Sequence, residues 1–375
     1  MIKLSGELCS FFKVILIFIV IILSKNSYSS GKDSTTSAFN TSQVTISGQW
    51  FLSYMNGKVD AENVNLITVT RGYINVNLRL NDSFSGRITP DISVDQEGDG
   101  AGDLEMRLKY TYLKWHLPDV WILSKPFFEI GLVHLPWINF EESINNYRVQ
   151  GPMFLPRNGI ISSADFGITL ITLLGGEMDE AYKKKVNKSY PGRYGSIALG
   201  VYNGGGYHAF ETNTNKPVQG RLSLRPFPDS IPGLQLSYHG VYGKGNTVAA
   251  PDWTINTGFV SYEDEYIVAT GSYYNGVGNF TGSAVDSMGK ALDQYGYSGY
   301  AELKLPSSRL SLMSRYDYFV QEEYGQKVKR NRYIIGIAYR FYSASKFLLD
   351  YDHNKGRNFF GEETSRIEAV VEVRF

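Results

Sequence analysis

The chain has 375 residues, with 37 Lys+Arg balanced by 37 Asp+Glu, 38 glycines, 27 tyrosines, 21 phenylalanines and a single cysteine, Cys9. Zero formal charge excludes a general nucleic-acid binder, which needs a basic surplus to neutralise phosphates, and one cysteine excludes an internal disulfide or a multi-cysteine metal site. An aromatic share of 14% excludes disorder, and a hydrophobic share of 43% with slightly negative mean hydropathy excludes a helical membrane bundle while leaving β-rich folds open.

The first segment reads as an address. Lys3 and Lys13 precede an apolar run from Val14 to Leu23, and small polar residues follow through Ser30. That order matches a secretory signal peptide over 1–29, and the run is shorter than the roughly 20 apolar residues a spanning helix needs. Its removal takes away three lysines and Glu7, leaving 34 basic and 36 acidic residues, a charge of −2. Cys9 leaves with it. Residues 30–43 are rich in Ser and Thr, lack periodicity, and read as a flexible lead-in.

From Val44 onward the pattern counts in twos. Ile367, Ala369, Val371, Val373 and Phe375 alternate with Glu368, Val370, Glu372 and Arg374; Met106, Leu108, Tyr110 and Tyr112 alternate with Glu105, Arg107, Lys109 and Thr111. Successive strand side chains point to opposite faces, so each such segment has one apolar and one polar or small face. Sixteen segments follow, near 44–55, 66–80, 84–93, 104–116, 126–135, 164–174, 194–203, 217–226, 234–243, 253–262, 265–275, 296–305, 309–320, 331–341, 346–354 and 366–375. Their lengths suit tilted bilayer-spanning strands.

The connections alternate too. Short links at 81–83, 263–264, 306–308 and 342–345 are interleaved with longer ones at 94–103, 136–163, 204–216, 276–295, 321–330 and 355–365. That asymmetry is the pattern of an outer-membrane barrel, whose turns are short on one side and loops long on the other. Residues 175–193 disobey, being long where a short turn is due. A sheet in lipid must close, because open edges leave amides unsatisfied, and an even strand count lets the last strand pair antiparallel with the first. Aromatics near strand ends (Trp50, Phe51, Trp115, Trp121, Trp137, Tyr273, Tyr274, Phe319, Phe341) are expected to form interfacial girdles. The expectation is an all-β transmembrane antiparallel barrel over 44–375.

The terminal Val371-Glu372-Val373-Arg374-Phe375 looks like the insertion signal of bacterial outer-membrane barrels, with Phe375 read by the assembly machinery. Arg71-Gly72-Tyr73, the stretch from Ser85 to Asp91 and that from Glu129 to Trp137 are similar to porins of the phosphate-selective porin O and P type. This resemblance spans about 44–375. It implies a 16-stranded channel, often trimeric, in outer-membrane lipid and lipopolysaccharide, with a third outer loop folded inward and anions such as phosphate as candidate solutes.

The chain offers that loop independently, since 136–163 is the longest connection. Tyr147, Pro152, Met153, Phe154 and Pro156 are suited to packing against the wall, leaving Glu141, Glu142, Arg148 and Arg157 as candidate constriction charges. Opposed charges at a narrow point filter solutes by charge and size. Candidate pore-lining cations are Arg71, Arg79, Arg87, Arg107, Arg221, Arg225, Arg315 and Arg340. Asp91, Glu105, Glu302, Asp317, Asp350 and Glu372 face the same lumen, so the near-neutral total does not suggest a strongly anion-selective tunnel. The lysine cluster of the family has no residue-by-residue counterpart; Lys183, Lys184, Lys185 and Lys188 group in the misfit link.

Other chemistry is thin. HExxH, GxxxxGK[ST] and GxSxG are absent. His116, His134, His208, His239 and His353 are scattered and read as girdle or loop residues. His239 with Ser237 or Ser223 is the pairing a phospholipase-like barrel enzyme would use, and that enzyme and a structural or adhesive barrel are the alternatives to a passive channel. Asp95, Glu97 and Asp99, with Gly100 following, resemble the start of a calcium loop, but Met106 occupies the position of the bidentate Glu. No cofactor is expected.

Overall fold

The computed structural model describes residues 43–59, 62–95, 100–323, 325–356 and 363–375. The expected signal peptide, nearly all of the lead-in, and Glu97 and Asp99 of the calcium-like loop lie outside the described residues.

Sixteen strands form: β1 Val44–Val59, β2 Glu62–Arg79, β3 Phe84–Val94, β4 Leu104–His116, β5 Leu123–His134, β6 Ala164–Leu174, β7 Gly195–Tyr202, β8 Val218–Leu224, β9 Gln235–Lys244, β10 Asp252–Glu263, β11 Ile267–Val277, β12 Asp293–Lys304, β13 Leu310–Glu323, β14 Gln326–Tyr342, β15 Ser345–Gly356 and β16 Thr364–Arg374. Each pairs antiparallel with its sequence neighbours, and β1 pairs with β16 from Gln49↔Arg374 to Lys58↔Ser365, closing the barrel. Closure satisfies the backbone groups that an open edge would expose to lipid.

The period-2 pattern explains the two faces. On β16, Ile367 and Phe375 are exposed outward, while Glu368, Val370 and Glu372 are buried inward. The alternation on β4 breaks where the sequence predicts one continuous face. Thr89 pairs with Tyr110 but Pro90 pairs with Leu108, leaving Lys109 as an extra residue. A β-bulge of this kind shifts side-chain parity, so Met106 and Leu108 face out while Tyr110 and Tyr112 face in and are buried. A second correction concerns 321–330, expected as a long loop. There the ladder continues to Glu323↔Gln326, and Gly325, at φ +72°, takes the left-handed conformation that a tight connection needs.

Four of the expected girdle aromatics serve another purpose. Phe51, Tyr274 and Phe319 point inward and Trp137 lies in the β5–β6 loop; all four are buried in a cluster at the centre of the barrel. Their position near strand ends was a poor guide, because parity, not height, decides whether a ring meets lipid. Trp50, Trp121 and Tyr273 are exposed.

Candidate pore and its inner loops

The β5–β6 connection folds into the barrel. It carries α1 Ile138–Ile144, a 3-10 turn Arg148–Gln150 and the one-turn α2 Phe154–Arg157. Its apolar residues Trp137, Phe140, Ile144, Met153, Phe154 and Leu155 are buried, each contributing roughly 1.5–3 kcal/mol relative to exposure. Phe154 packs edge-on to Tyr274 and Phe319, and Trp137 stacks on His239 at 5.2 Å. Polar ties hold the loop to the β12–β15 wall: Tyr147 donates to Glu302 Oε1 at 3.0 Å, Arg157 pairs with Asp317 at 3.2 Å, and Lys346 Nζ donates to the Asn146 carbonyl at 2.7 Å.

The misfit link 175–193 is a second inner element, entering from the short-turn end. Asp179 caps α3 Glu180–Lys185 by accepting from the Tyr182 N–H at 2.7 Å. Beyond the helix, Asn187 Nδ2 donates to the Ser143 carbonyl and to Glu263 Oε1, both at 2.9 Å. The Tyr190 hydroxyl accepts from Asn139 Nδ2 at 2.7 Å, and its ring meets Phe140 edge-on at 5.4 Å. The Arg221 guanidinium lies 4.1 Å from the Phe140 ring centre and 4.9 Å from that of Tyr190. The insertion therefore braces the β5–β6 loop from below. Its lysines sit at this end of the molecule, Lys183 pairing with Glu177 and Glu180.

Together these elements fill most of the side of the lumen bounded by β7–β16, leaving a cavity of about 360 Å³ lined by Arg157, Asp317, Arg332 and Arg366. The side bounded by β2–β6 stays open, with a cavity of about 1290 Å³ towards the long-loop end and one of about 350 Å³ towards the short-turn end. Five cations descend this wall: Arg107 on β4, Arg71 on β2, Arg87 on β3 and Lys114 on β4 border the cavities, and Lys109 on β4 is buried between them. At about 3.3 Å per residue the staircase along β4 spans roughly 20 Å. Arg71 is paired with Asp91 at 2.6 Å and Lys114 with Glu129 at 3.4 Å. Arg87 is held by neutral groups, donating to Thr89 Oγ1 at 2.8 Å and Asn75 Oδ1 at 2.6 Å, and Lys109 donates to the Tyr73 hydroxyl at 3.4 Å. Across from them, the loop presents Glu142 and Arg148, bonded to one another at 3.2 Å and both partly exposed.

The residues singled out in the sequence thus separate. All eight arginines lie on inward faces. Arg71, Arg87 and Arg107 line the open side; Arg79 sits exposed at the short-turn rim beside Asp82; Arg340 is exposed beside Lys346 in register. Arg221, Arg225 and Arg315 are buried, held by the Pro136 carbonyl, by Tyr182 and by Asp317 respectively. Of the loop charges, Glu142 and Arg148 reach the open side, Glu141 is buried against the wall, and Arg157 pairs with Asp317 at the edge of the smaller β13–β16 cavity. Burial pushes the Glu141 carboxyl up to about 7, against the lowering pull of Arg315 and of the Trp137 Nε1–H bond at 2.8 Å.

Sequence reasoning singled out only arginines on this wall and missed Lys109 and Lys114. It also placed His134 and His239 in girdles or loops. Both are buried inside: His134 Nδ1 is 2.7 Å from Glu129 Oε2, and His239 lies behind the loop. His239 makes no hydrogen bond to protein, and Ser237 and Ser223 bond each other at 2.8 Å, so the serine–histidine pairing does not form. Among the described residues no cluster of metal-ligating side chains occurs. Phe375 is exposed on the outer face and packs on Trp50 at 5.5 Å.

Solved bacterial outer-membrane porins share the fold of this closed antiparallel barrel. The chain superposes on OmpF of Salmonella typhi in complex with daunomycin with a TM-score of 0.59 at 11% identity, covering 90% of this chain and 99% of that one. An anion-selective porin from Comamonas acidovorans gives 0.58 at 10% identity, covering 88% and 99%. The trimer form of OmpT, an outer membrane protein of Vibrio cholerae, gives 0.56 at 14% identity with the same coverage. No family model and no curated protein sequence matches the chain.

Proposed function

We propose that this chain is a porin of a bacterial outer membrane, exported by its signal peptide, that lets small hydrophilic solutes diffuse passively with a preference for anions. The long-loop end then faces outward and the short-turn end the periplasm. The observation that carries this reading is the cation staircase, where Arg87 borders the cavity with neutral partners only and the buried Lys109 behind it also has a neutral partner. Asp91, Glu105 and Glu129 pair with Arg71, Arg107 and Lys114 on this wall, so its cationic surplus rests on Arg87 and Lys109, and such a surplus in a narrow lumen raises the local concentration of anions. Most of the inward carboxylates that balance the total, including Glu302, Asp317, Asp350 and Glu372, are buried on the packed side. Phosphate, the solute implied by the sequence resemblance, is one anion this wall suits. Assembly as a trimer through the apolar outer face, and insertion guided by Phe375, belong to the same proposal.

The chain reads as a channel: His239 makes no bond to Ser237 or Ser223, which bond each other at 2.8 Å, and the Ser85–His116 contact at 3.2 Å lies exposed beside the short 81–83 link. In planar bilayers the protein should give steady ohmic steps, and a salt gradient should give a reversal potential on the anion side. Absent conductance with lipid hydrolysis in its place would favour the barrel enzyme; a cation-side potential would reject the anion preference.

A further inference from the structure

The β7–β8 loop forms a third inner element. Its Gly204-Gly205-Gly206 run turns the chain sharply, with φ +117° at Gly204 and +82° at Gly206. A Cβ on Gly206 would come within 3.2 Å of Ser162 and Phe280, so the bend fits against two other loops. The turn is pinned by Asp165, whose Oδ2 accepts the Gly204 N–H at 2.7 Å. Tyr207 is thereby carried across the lumen to β2 and β3. Its hydroxyl accepts from Arg71 Nη2 at 3.0 Å and donates to Asp91 Oδ2 at 3.2 Å. The Arg107 guanidinium lies 6.0 Å from the Tyr207 ring centre, and the exposed His208 ring is 4.5 Å from it. All four side chains line the larger cavity.

We propose that Tyr207, His208, Arg71 and Arg107 form an entry subsite for a small organic monoanion that carries a flat aromatic ring, such as an aromatic carboxylate. Two partly exposed guanidinium groups offer donors to the carboxylate, and two rings offer faces for stacking. Asp91 is already engaged by Arg71 and Tyr207, so it does not oppose the ligand. Asp95 and Glu105 line the same cavity and disfavour a more highly charged anion. The subsite rests on the anion-passing channel proposed above and supplies what the staircase alone does not, a choice among anions.

The test is block of chloride current by benzoate added on the long-loop side of reconstituted channels, compared with cyclohexanecarboxylate and acetate. Benzoate should block at roughly five- to tenfold lower concentration than either, the size of effect expected from ring stacking. Tyr207→Ala and His208→Ala should each remove most of that advantage, while Tyr207→Phe, which keeps the ring, should retain more of it. His208 is exposed, so its substitution tests the site even if loss of Tyr207 disturbs the loop. Equal block by benzoate and cyclohexanecarboxylate, or an advantage that survives both alanine variants, would overturn the subsite. Reversal potentials on the same membranes read the staircase separately: anion preference without ring discrimination removes the subsite alone.

Discussion

On the β7–β16 side of the lumen, charges such as Arg221, Arg315 and Asp317 are buried, and Arg315 and Asp317 are in mutual contact. On the β2–β5 side, Arg87 and Lys114 stand beside cavity, and Arg87 has only neutral partners. Both sides use the same residue types on the same inward strand positions. What differs is cover: the first set holds a loop in place, and the second is free to meet solutes. An inward arginine is therefore a structural rivet or a selectivity element according to what packs over it, which strand parity does not reveal.

Substitutions should break the two sides differently. The largest effect is expected at Asp317, which receives Arg157, Arg315 and the Ser298 hydroxyl. Asp317→Ala strands two buried guanidinium groups, a loss of about 3–5 kcal/mol. The barrel should persist while 136–163 becomes protease-sensitive and single-channel conductance rises. A smaller effect is expected from pH. The packed loop keeps the Glu141 proton up to about pH 7, whereas a released loop loses it near the ordinary carboxyl value of 4.5. Between those values the packed form holds more protons, so each rise in pH weakens the packing, and below that window it is fully stable. Proteolysis of the loop should increase from pH 5 to pH 8 in the native protein and stay flat in Glu141→Gln.

Bracing from the insertion should count for less. Asn187→Ala removes the bonds to the Ser143 carbonyl and Glu263, worth about 0.5–1.5 kcal/mol each. It should make the open-channel current noisier without changing ion preference. The smallest effect on stability is expected on the open wall. Lys114→Ala removes one partner from the buried Glu129, which keeps His134 Nδ1 at 2.7 Å, a loss of about 1 kcal/mol. Its thermal unfolding should fall only slightly while the reversal potential moves towards zero.

Strand number, closure and the inward loop were legible because they follow from period-2 alternation and connection length. The bulge at Lys109 was not, since one extra residue leaves no mark in an alternating pattern until pairing is known. Nor was the segregation of charge. The sequence total near neutrality argued against anion preference, yet buried acids such as Glu302 and Glu372 do not face the open side. Residues 175–193 stood out as too long for a turn, but their contact with 136–163 depends on two segments meeting inside a closed barrel. The Gly204–Gly206 run before Tyr207 and His208 was the available sign of the third inner loop.

The central claim is that ion preference comes from inward arginines that border cavity and not from those buried under the loop. Reversal potential under a salt gradient, measured for Arg87→Gln and Arg221→Gln beside the native protein, tests it most directly. The account predicts a shift towards zero for Arg87→Gln and an unchanged anion-side potential for folded Arg221→Gln. Equal shifts in both, or a shift in Arg221→Gln only, would contradict it.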